Sequence, residues 1–268
     1  MNKAESGLQL LSRLDDRPLL NDFDTVLFPN GGPFPKEIIE ITGDSNTGKT
    51  LLLTEIIAKA ILPVRHGGRN VGVILIDTDC HFQIIKLVTA LEKFATTQDE
   101  DINDIIKESL VNFNILQCHD SMQLNVTIKR LDDILIQNTD VCILAMDNIS
   151  SFYWSEQNQI KMDTYYRTIL RSIQGATWEY KVVFFYTRPG YFFTKNTGDN
   201  FTEVPRSGCI NYRVKLELAE DEKMDCDGDV KMDAEAVDVK YFQACIETAK
   251  DKFVNRYVIN EQGFEWNK

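Results

Sequence analysis

Histidine is scarce in this chain, with three residues in 268, and its six cysteines include no C-x-x-C pair. His66, His81 and His119 stand apart, and none falls at ligand spacing from Cys80, Cys118, Cys142, Cys209, Cys226 or Cys245. This excludes the common zinc frameworks and a disulfide scaffold, so the cysteines are expected to be reduced thiols. Cys142 lies inside an apolar run, where a thiol serves as a small hydrophobe. Long apolar runs are also missing: Val73–Ile76 and Val182–Tyr186 are far too short to span a bilayer, so no membrane partner is expected. The first residues, with Glu5, Asp15 and Asp16, lack the apolar core of a secretory signal. Cytoplasm or nucleus is the expected location.

Excess positive charge is absent too, since the formal net charge is -12. The imbalance is local: between Glu220 and Asp238, nine acidic side chains face only Lys223 and Lys231. Such a block is expected to be a solvated loop, here spanning about 219–237. Asp225, Asp227 and Asp229 imitate the start of a calcium loop. Gly228 comes at the fourth position, however, and Ala236 stands where a bidentate Glu is required, which excludes calcium.

What the chain does contain is one phosphate-binding signature in the right setting. The apolar run Glu37–Thr42 leads into Gly43-Asp44-Ser45-Asn46-Thr47-Gly48-Lys49-Thr50, and a helical stretch follows from Leu51 to Leu62. The pattern is G-x-x-x-x-G-K-[ST] between a strand and a helix. Its glycines let backbone N–H groups face phosphate oxygens, Lys49 adds a point charge, and the Thr50 hydroxyl suits Mg²⁺. The helix N-terminus completes an anion site.

Strands and helices then alternate, as in a parallel sheet wrapped by helices. Strands are predicted at 71–76, 113–117, 141–146 and 182–186, and helices at 82–94, 102–110, 121–136 and 160–180. Beyond Tyr186 no long helical stretch remains, and segments 210–218, 237–247 and 254–259 read as antiparallel strands added to the sheet edge. The expected division is an N-terminal helix and linker over 1–36 and a core over 37–268. Leu8, Leu11 and Leu14 recur at helical spacing within Ala4–Leu14, which suits packing on the core or on another subunit.

Two acidic positions extend the nucleotide site. The strand Val141–Met146 ends in Asp147, placed to hold the water shell of Mg²⁺ beside the phosphates. Asp77-Thr78-Asp79 ends another strand; Asp79 could orient a water for attack on a γ-phosphate, or simply cap a turn.

These residues resemble the RecA-type recombinase paralogue family. The carriers are Ala4-Glu5-Ser6-Gly7 with Leu10, Leu11, Arg13 and Leu14; the phosphate loop; Ile61-Leu62-Pro63 with Gly67-Gly68; Ile76–Phe82 continuing into Lys86–Thr89; and Asp147 followed by Ser151-Phe152-Tyr153-Trp154. They cover most of residues 4–154, with a weaker match at Val258-Ile259 and Gly263-Phe264. The resemblance implies an α/β RecA-like P-loop NTPase core that binds ATP and Mg²⁺ and acts in the nucleus in homologous recombination and DNA break repair. It implies a complex with other recombinase paralogue subunits, through which single-stranded or branched DNA is met. A short form is expected, without the helical N-terminal DNA-binding domain of many relatives.

Two positions depart from the family. Active recombinases carry Glu where this chain has Asp79, and a misplacement of about 1 Å in an attacking water costs on the order of 100-fold in rate. They also end the strand matching Val182–Tyr186 with a γ-phosphate-sensing Gln, where this chain has Thr187-Arg188-Pro189. An Arg could still contact phosphate. The departures favour ATP binding over efficient hydrolysis, with a DNA-dependent ATPase or strand-exchange enzyme as the alternative and a small-molecule kinase as a distant third. By position, 188–208 matches the family's second DNA-binding loop. Arg188, Tyr191, Phe192, Phe193, Lys195 and Arg206 are its DNA-binding candidates, although the aromatics equally suit packing under a loop or on a partner.

Overall fold

Four strands buried on both faces form the centre of the molecule: β1 (Ile38–Gly43), β2 (Gly72–Asp77), β4 (Val141–Asp147) and β5 (Val183–Pro189). Strands in that position read as continuous apolar runs, because neither side meets water. The structure, a computed structural model, describes residues 6–7, 10–11, 17–95, 101–193, 201–203, 210–219 and 241–267, with backbone alone at 191–193 and 201–203.

The further strands are β3 (Phe113–Gln117), β6 (Tyr191–Phe193), β7 (Phe201–Glu203), β8 (Tyr212–Leu218), β9 (Tyr241–Glu247), β10 (Lys252–Asn260) and β11 (Gly263–Trp266). Among the described residues, nine strands make one sheet in the order β11-β10-β9-β8-β1-β5-β4-β2-β3, and β6 pairs with β7 in a second, two-stranded sheet. From β8 to β3 every neighbour is parallel. The β8–β9, β9–β10 and β10–β11 pairs are antiparallel. The added strands expected at the C-terminal edge are present, with one refinement: β8 joins the parallel sheet beside β1, and the antiparallel part begins at β9.

Among the described residues the helices flanking the sheet are α1 (Lys49–Ile61), α2 (Ile84–Phe94), α3 (Ile102–Val111), α4 (Ser121–Gln137), the single turn α5 (Tyr153–Glu156) and α6 (Met162–Thr177). Because side chains alternate along a strand, each face has its own core. Ile39, Ile41, Val73, Leu75, Ile143 and Phe185 pack with α1, α2 and α3 on the first face. Ile38, Ile74, Leu144, Met146, Phe184 and Tyr186 pack with α4 and α6 on the second. No helix among the described residues is long and apolar enough to cross a membrane.

The first core begins before Glu37. Leu20, Phe23, Leu27 and Phe28 are buried in it, and the Phe28 ring meets Tyr212 edge-on at 5.0 Å. The stretch expected as a linker therefore packs into the first-face core. Of the expected N-terminal helix one turn is described, with the Leu10 N–H donating to Ser6 O at 3.2 Å and both Leu10 and Leu11 exposed. Leu8, Leu14 and the acidic block 220–238 lie outside the described residues.

Arg17 fixes this segment to the second face. Its guanidinium is buried over the Tyr180 ring and donates to Leu135 O at 2.6 Å, Asn138 O at 3.0 Å and Val141 O. Leu135 and Asn138 lie at the C-terminus of α4, where a cation is favoured by the helix dipole, and Val141 opens β4. Arg17→Met keeps the apolar stem and removes the donors. Urea denaturation is expected to show a loss of about 2–3 kcal/mol, the scale of charged hydrogen bonds whose acceptors stay buried.

Candidate functional site: a nucleotide-binding loop

The loop between β1 and α1 has room for no side chain at its two glycines. A Cβ on Gly43 would lie 2.4 Å from Leu216 O and 2.6 Å from Thr47 Oγ1. Gly48 adopts φ +84°, and a Cβ there would lie 2.9 Å from Ile259 Cδ1. Asn46 also sits at φ 63°, a conformation that Asn tolerates better than most residues. The C-terminal strands hold the curl from outside. Tyr257 Oη donates to Thr47 O at 2.7 Å, and the Tyr257 ring stacks on Phe264 at 4.3 Å and Phe242 at 5.3 Å. Just past the end of β5, the Gly190 N–H donates to Gly43 O at 3.0 Å.

Lys49 Nζ and Thr47 Oγ1 both donate to Asp44 O, at 2.6 and 2.9 Å. Burial pushes the Lys49 ammonium below its ordinary range, partly offset by Asp147 and Asp44. Helix α1 starts without a side-chain cap and with no acid in its first turn, so its positive end stays open to an anion. Asn46, Lys49, Thr50, Lys86 and Ile259 line a cleft of about 360 Å³ at this end. The residues thus fit Mg²⁺-ATP, which would supply the triphosphate charge that the loop amides and Lys49 balance.

Asp147 ends β4 beside the loop, as its sequence position implied. Its Oδ2 accepts from Thr50 Oγ1 at 2.7 Å, and its Oδ1 accepts from Thr187 Oγ1 of β5. Thr50 donates its proton to the carboxylate, which leaves its oxygen lone pairs for a cation. Burial raises the Asp147 pKa; the two hydroxyl hydrogen bonds pull it down, and Asp79 and Asp77 push it up again.

Asp79 accepts from Asn148 Nδ2. Asn148 is itself held, its Oδ1 accepting from Ser150 N at 2.8 Å and Ser150 Oγ at 2.7 Å. Asp79 does not cap the next helix: the N-cap of α2 is Gln83, without a side-chain cap bond, and the Phe82 N–H points to Asp77 Oδ2 at 3.4 Å. The site therefore brings Asp79 and Asp147 to one end of the sheet with the Asn148 amide tied to Asp79.

Arg188 goes elsewhere. It is 2% exposed and lies on the second face of the sheet, opposite α1. Its Nε and Nη2 donate to Glu40 Oε2 and Oε1 at 2.6 and 3.1 Å. The expectations that Arg188 touches phosphate or DNA are corrected here: the alternation of β5 turns Thr187 toward Asp147 and Arg188 away from it. Arg213 Nε on β8 donates to Glu40 Oε1 at 2.6 Å, and Tyr186 Oη donates to Oε2 at 2.7 Å. Burial alone would raise the Glu40 pKa, but the two guanidinium groups and the tyrosine hydroxyl hold it below the ordinary carboxylate range.

Of the other DNA-binding candidates, Tyr191, Phe192 and Phe193 form β6, known by its backbone, while Lys195 and Arg206 lie outside the described residues. Sequence reasoning missed Glu40, Thr187, Tyr257 and Asn148. Only Glu40 carried a signal, a charge inside an apolar strand, which demands a buried partner.

The raised Asp147 pKa carries a sign. The folded state holds that proton more tightly than the unfolded chain, so stability falls as pH rises from the ordinary carboxylate range through the raised value. Asp147→Asn removes this loss. At neutral pH without nucleotide, the variant is expected to melt about 2–4 °C higher, equivalent to about 1 kcal/mol, while titration shows weaker Mg²⁺-nucleotide binding.

Comparison with known proteins agrees with this geometry. The Rad51 family profile matches residues 20–165. The mouse (Mus musculus) DNA repair protein XRCC2 is 30% identical over 223 residues, 80% of this chain and 79% of that protein. The Arabidopsis thaliana DNA repair protein XRCC2 homolog is 25% identical over 208 residues, 62% of this chain and 54% of the plant protein. The DNA repair and recombination protein RadA of the archaeon Methanoculleus marisnigri is 27% identical over 160 residues, 57% of this chain and 48% of its own. With a phosphate loop, a strand-end carboxylate and a parallel sheet in the matched region, the chain belongs to the Rad51 family.

Proposed function

We propose that this chain is an ATP-binding recombinase paralogue that acts in homologous recombination and DNA double-strand break repair. It works as a subunit of a complex of recombinase paralogues that assists the main recombinase, in the nucleus, and meets DNA through that complex. Its similarity to the mouse and plant DNA repair proteins supports this reading.

One observation favours holding ATP over hydrolysing it: the residues of the binding half follow the family while those of the hydrolytic half depart from it. Lys49, Thr50 and Asp147 are set for a Mg²⁺-nucleotide. Asp79 is one methylene shorter than the family's Glu and is engaged by Asn148. Arg188 is locked on Glu40 and cannot sense a γ-phosphate from there. A ligand that is held and not consumed stabilises the folded chain, by about 2.7 kcal/mol at a hundredfold excess over its Kd.

Lys49→Ala is expected to weaken Mg²⁺-ATP binding about 10- to 100-fold, the equivalent of one charged hydrogen bond. It is also expected to leave repair in complemented cells partly intact. Phosphate release by the purified chain with its co-purifying partners should stay at background with or without single-stranded DNA. DNA-stimulated release that disappears in Asp79→Asn would establish an active ATPase instead.

A further inference from the structure

Glu40 is a single carboxylate shared by both ends of the chain that joins β5 to β8. Where that chain leaves the sheet, Arg188 binds Glu40 side-on, and its Nη1 also donates to Pro189 O at 3.1 Å. The next amide, Gly190 N–H, donates to Gly43 O at 3.0 Å, the first residue of the phosphate loop. Where the chain returns, Asn211 brackets the other end of β1, its N–H donating to Ile38 O at 2.9 Å and its Oδ1 accepting from the Ile38 N–H at 3.0 Å. Two residues later Arg213 closes on Glu40 Oε1.

All three charged groups are more than nine-tenths buried. A buried ion pair missing one partner leaves an uncompensated charge in a medium that solvates it poorly. The carboxylate therefore has strong reason to keep both guanidinium groups, and each guanidinium to stay. Tyr166 of α6 closes the cluster, its ring 5.8 Å from the Arg188 guanidinium carbon. None of these contacts reaches Lys49, Thr50 or Asp147, the residues that would distinguish one nucleotide from another. Thr187, which does touch Asp147, is separated from the cluster by the thickness of the sheet.

We infer that Glu40 is a positioning residue that clamps both ends of the β5–β8 connection to the strand leading into the phosphate loop, so that their placement does not follow the phosphorylation state of the nucleotide. The two ends, at Gly190 and Asn211, would then keep one placement with or without nucleotide, whose role is the stability of the subunit. This rests on the nucleotide-binding reading only for its comparison of nucleotides, since the clamp itself is testable without any.

The test is amide hydrogen exchange on the full chain, alone, with Mg²⁺-ADP and with a Mg²⁺-bound non-hydrolysable ATP analogue, binding of each being measured separately by calorimetry. The Gly190 and Asn211 amides are expected to exchange at matching rates in all three states. Glu40→Gln should speed both together by about tenfold or more, equal to about 1.4 kcal/mol of opening free energy, while the Val73 amide, bonded to Asn112 O across the sheet, is unchanged. Arg188→Met should speed Gly190 alone and Arg213→Met Asn211 alone, which carries the test should Glu40→Gln fail to fold. Slowing at Gly190 seen only with the ATP analogue would overturn the inference. So would a Glu40→Gln variant that leaves both amides unchanged or speeds Val73 equally. Absence of calorimetric binding would count against the nucleotide reading and leave the clamp to the variants.

Discussion

A loop that offers its backbone amides to a ligand cannot use them to hold its own shape. The curl from Gly43 to Lys49 must be supported from outside, and much of the fold is arranged around that need. Gly190 reaches Gly43 from just past β5, Tyr257 reaches Thr47 from β10, and Ile259 lies against Gly48. The C-terminal antiparallel strands therefore support the phosphate loop from behind. The stack of Phe242, Tyr257 and Phe264 behind the loop makes that support rigid, because offset aromatic stacking adds to plain burial.

The end of β5 divides the chemistry of the molecule between its two faces. Thr187 and Arg188 are neighbours in sequence, yet strand alternation sends the first to Asp147 and the second to Glu40. Viewed along the sequence, Thr187-Arg188-Pro189 looks like a replacement for a single phosphate-sensing Gln. In the folded chain it is two separate devices, a hydroxyl that satisfies the strand-end carboxylate and a cation that ties down the opposite face. Which of the two substitutes for a sensor is decided by direction, and a hydroxyl already donating to Asp147 has no proton left to report a γ-phosphate.

The features legible in the sequence were those whose physics is local. The phosphate loop announced itself because strand, glycine curl and helix are consecutive, and Asp147 because an apolar run ends in an acid. The order of strands and helices through β5 followed from periodicity, with helix ends misjudged by one to three residues where flanking apolar residues such as Phe82 and Tyr180 lie outside the regular turns. Arg17, Tyr257 and Glu40 were illegible in their roles because their partners lie 118 to 210 positions away. The direction of β8 was misread for a related reason. The stretch before it has no helical signature, so the parallel crossover that it makes looked like one more hairpin turn.

That same lack of a helical signature in the sequence before β8 explains why a charge cluster is useful between β1 and β8. Replacing a buried Arg–Glu–Arg arrangement by apolar side chains often costs no stability, so stability alone does not account for it. Register does. A one-residue slip of β8 against β1 would turn Arg213 away from Glu40 into the first-face core of Ile39, Ile41 and α1, and leave Glu40 without one of its two cations. Val214 and Leu216 would meanwhile be carried to the second face. An apolar strand could tolerate that exchange between two apolar cores; a strand bearing Arg213 cannot. The cluster thus converts a pairing that hydrophobicity leaves open into one the chain must adopt, and it does so at the strand that enters the phosphate loop.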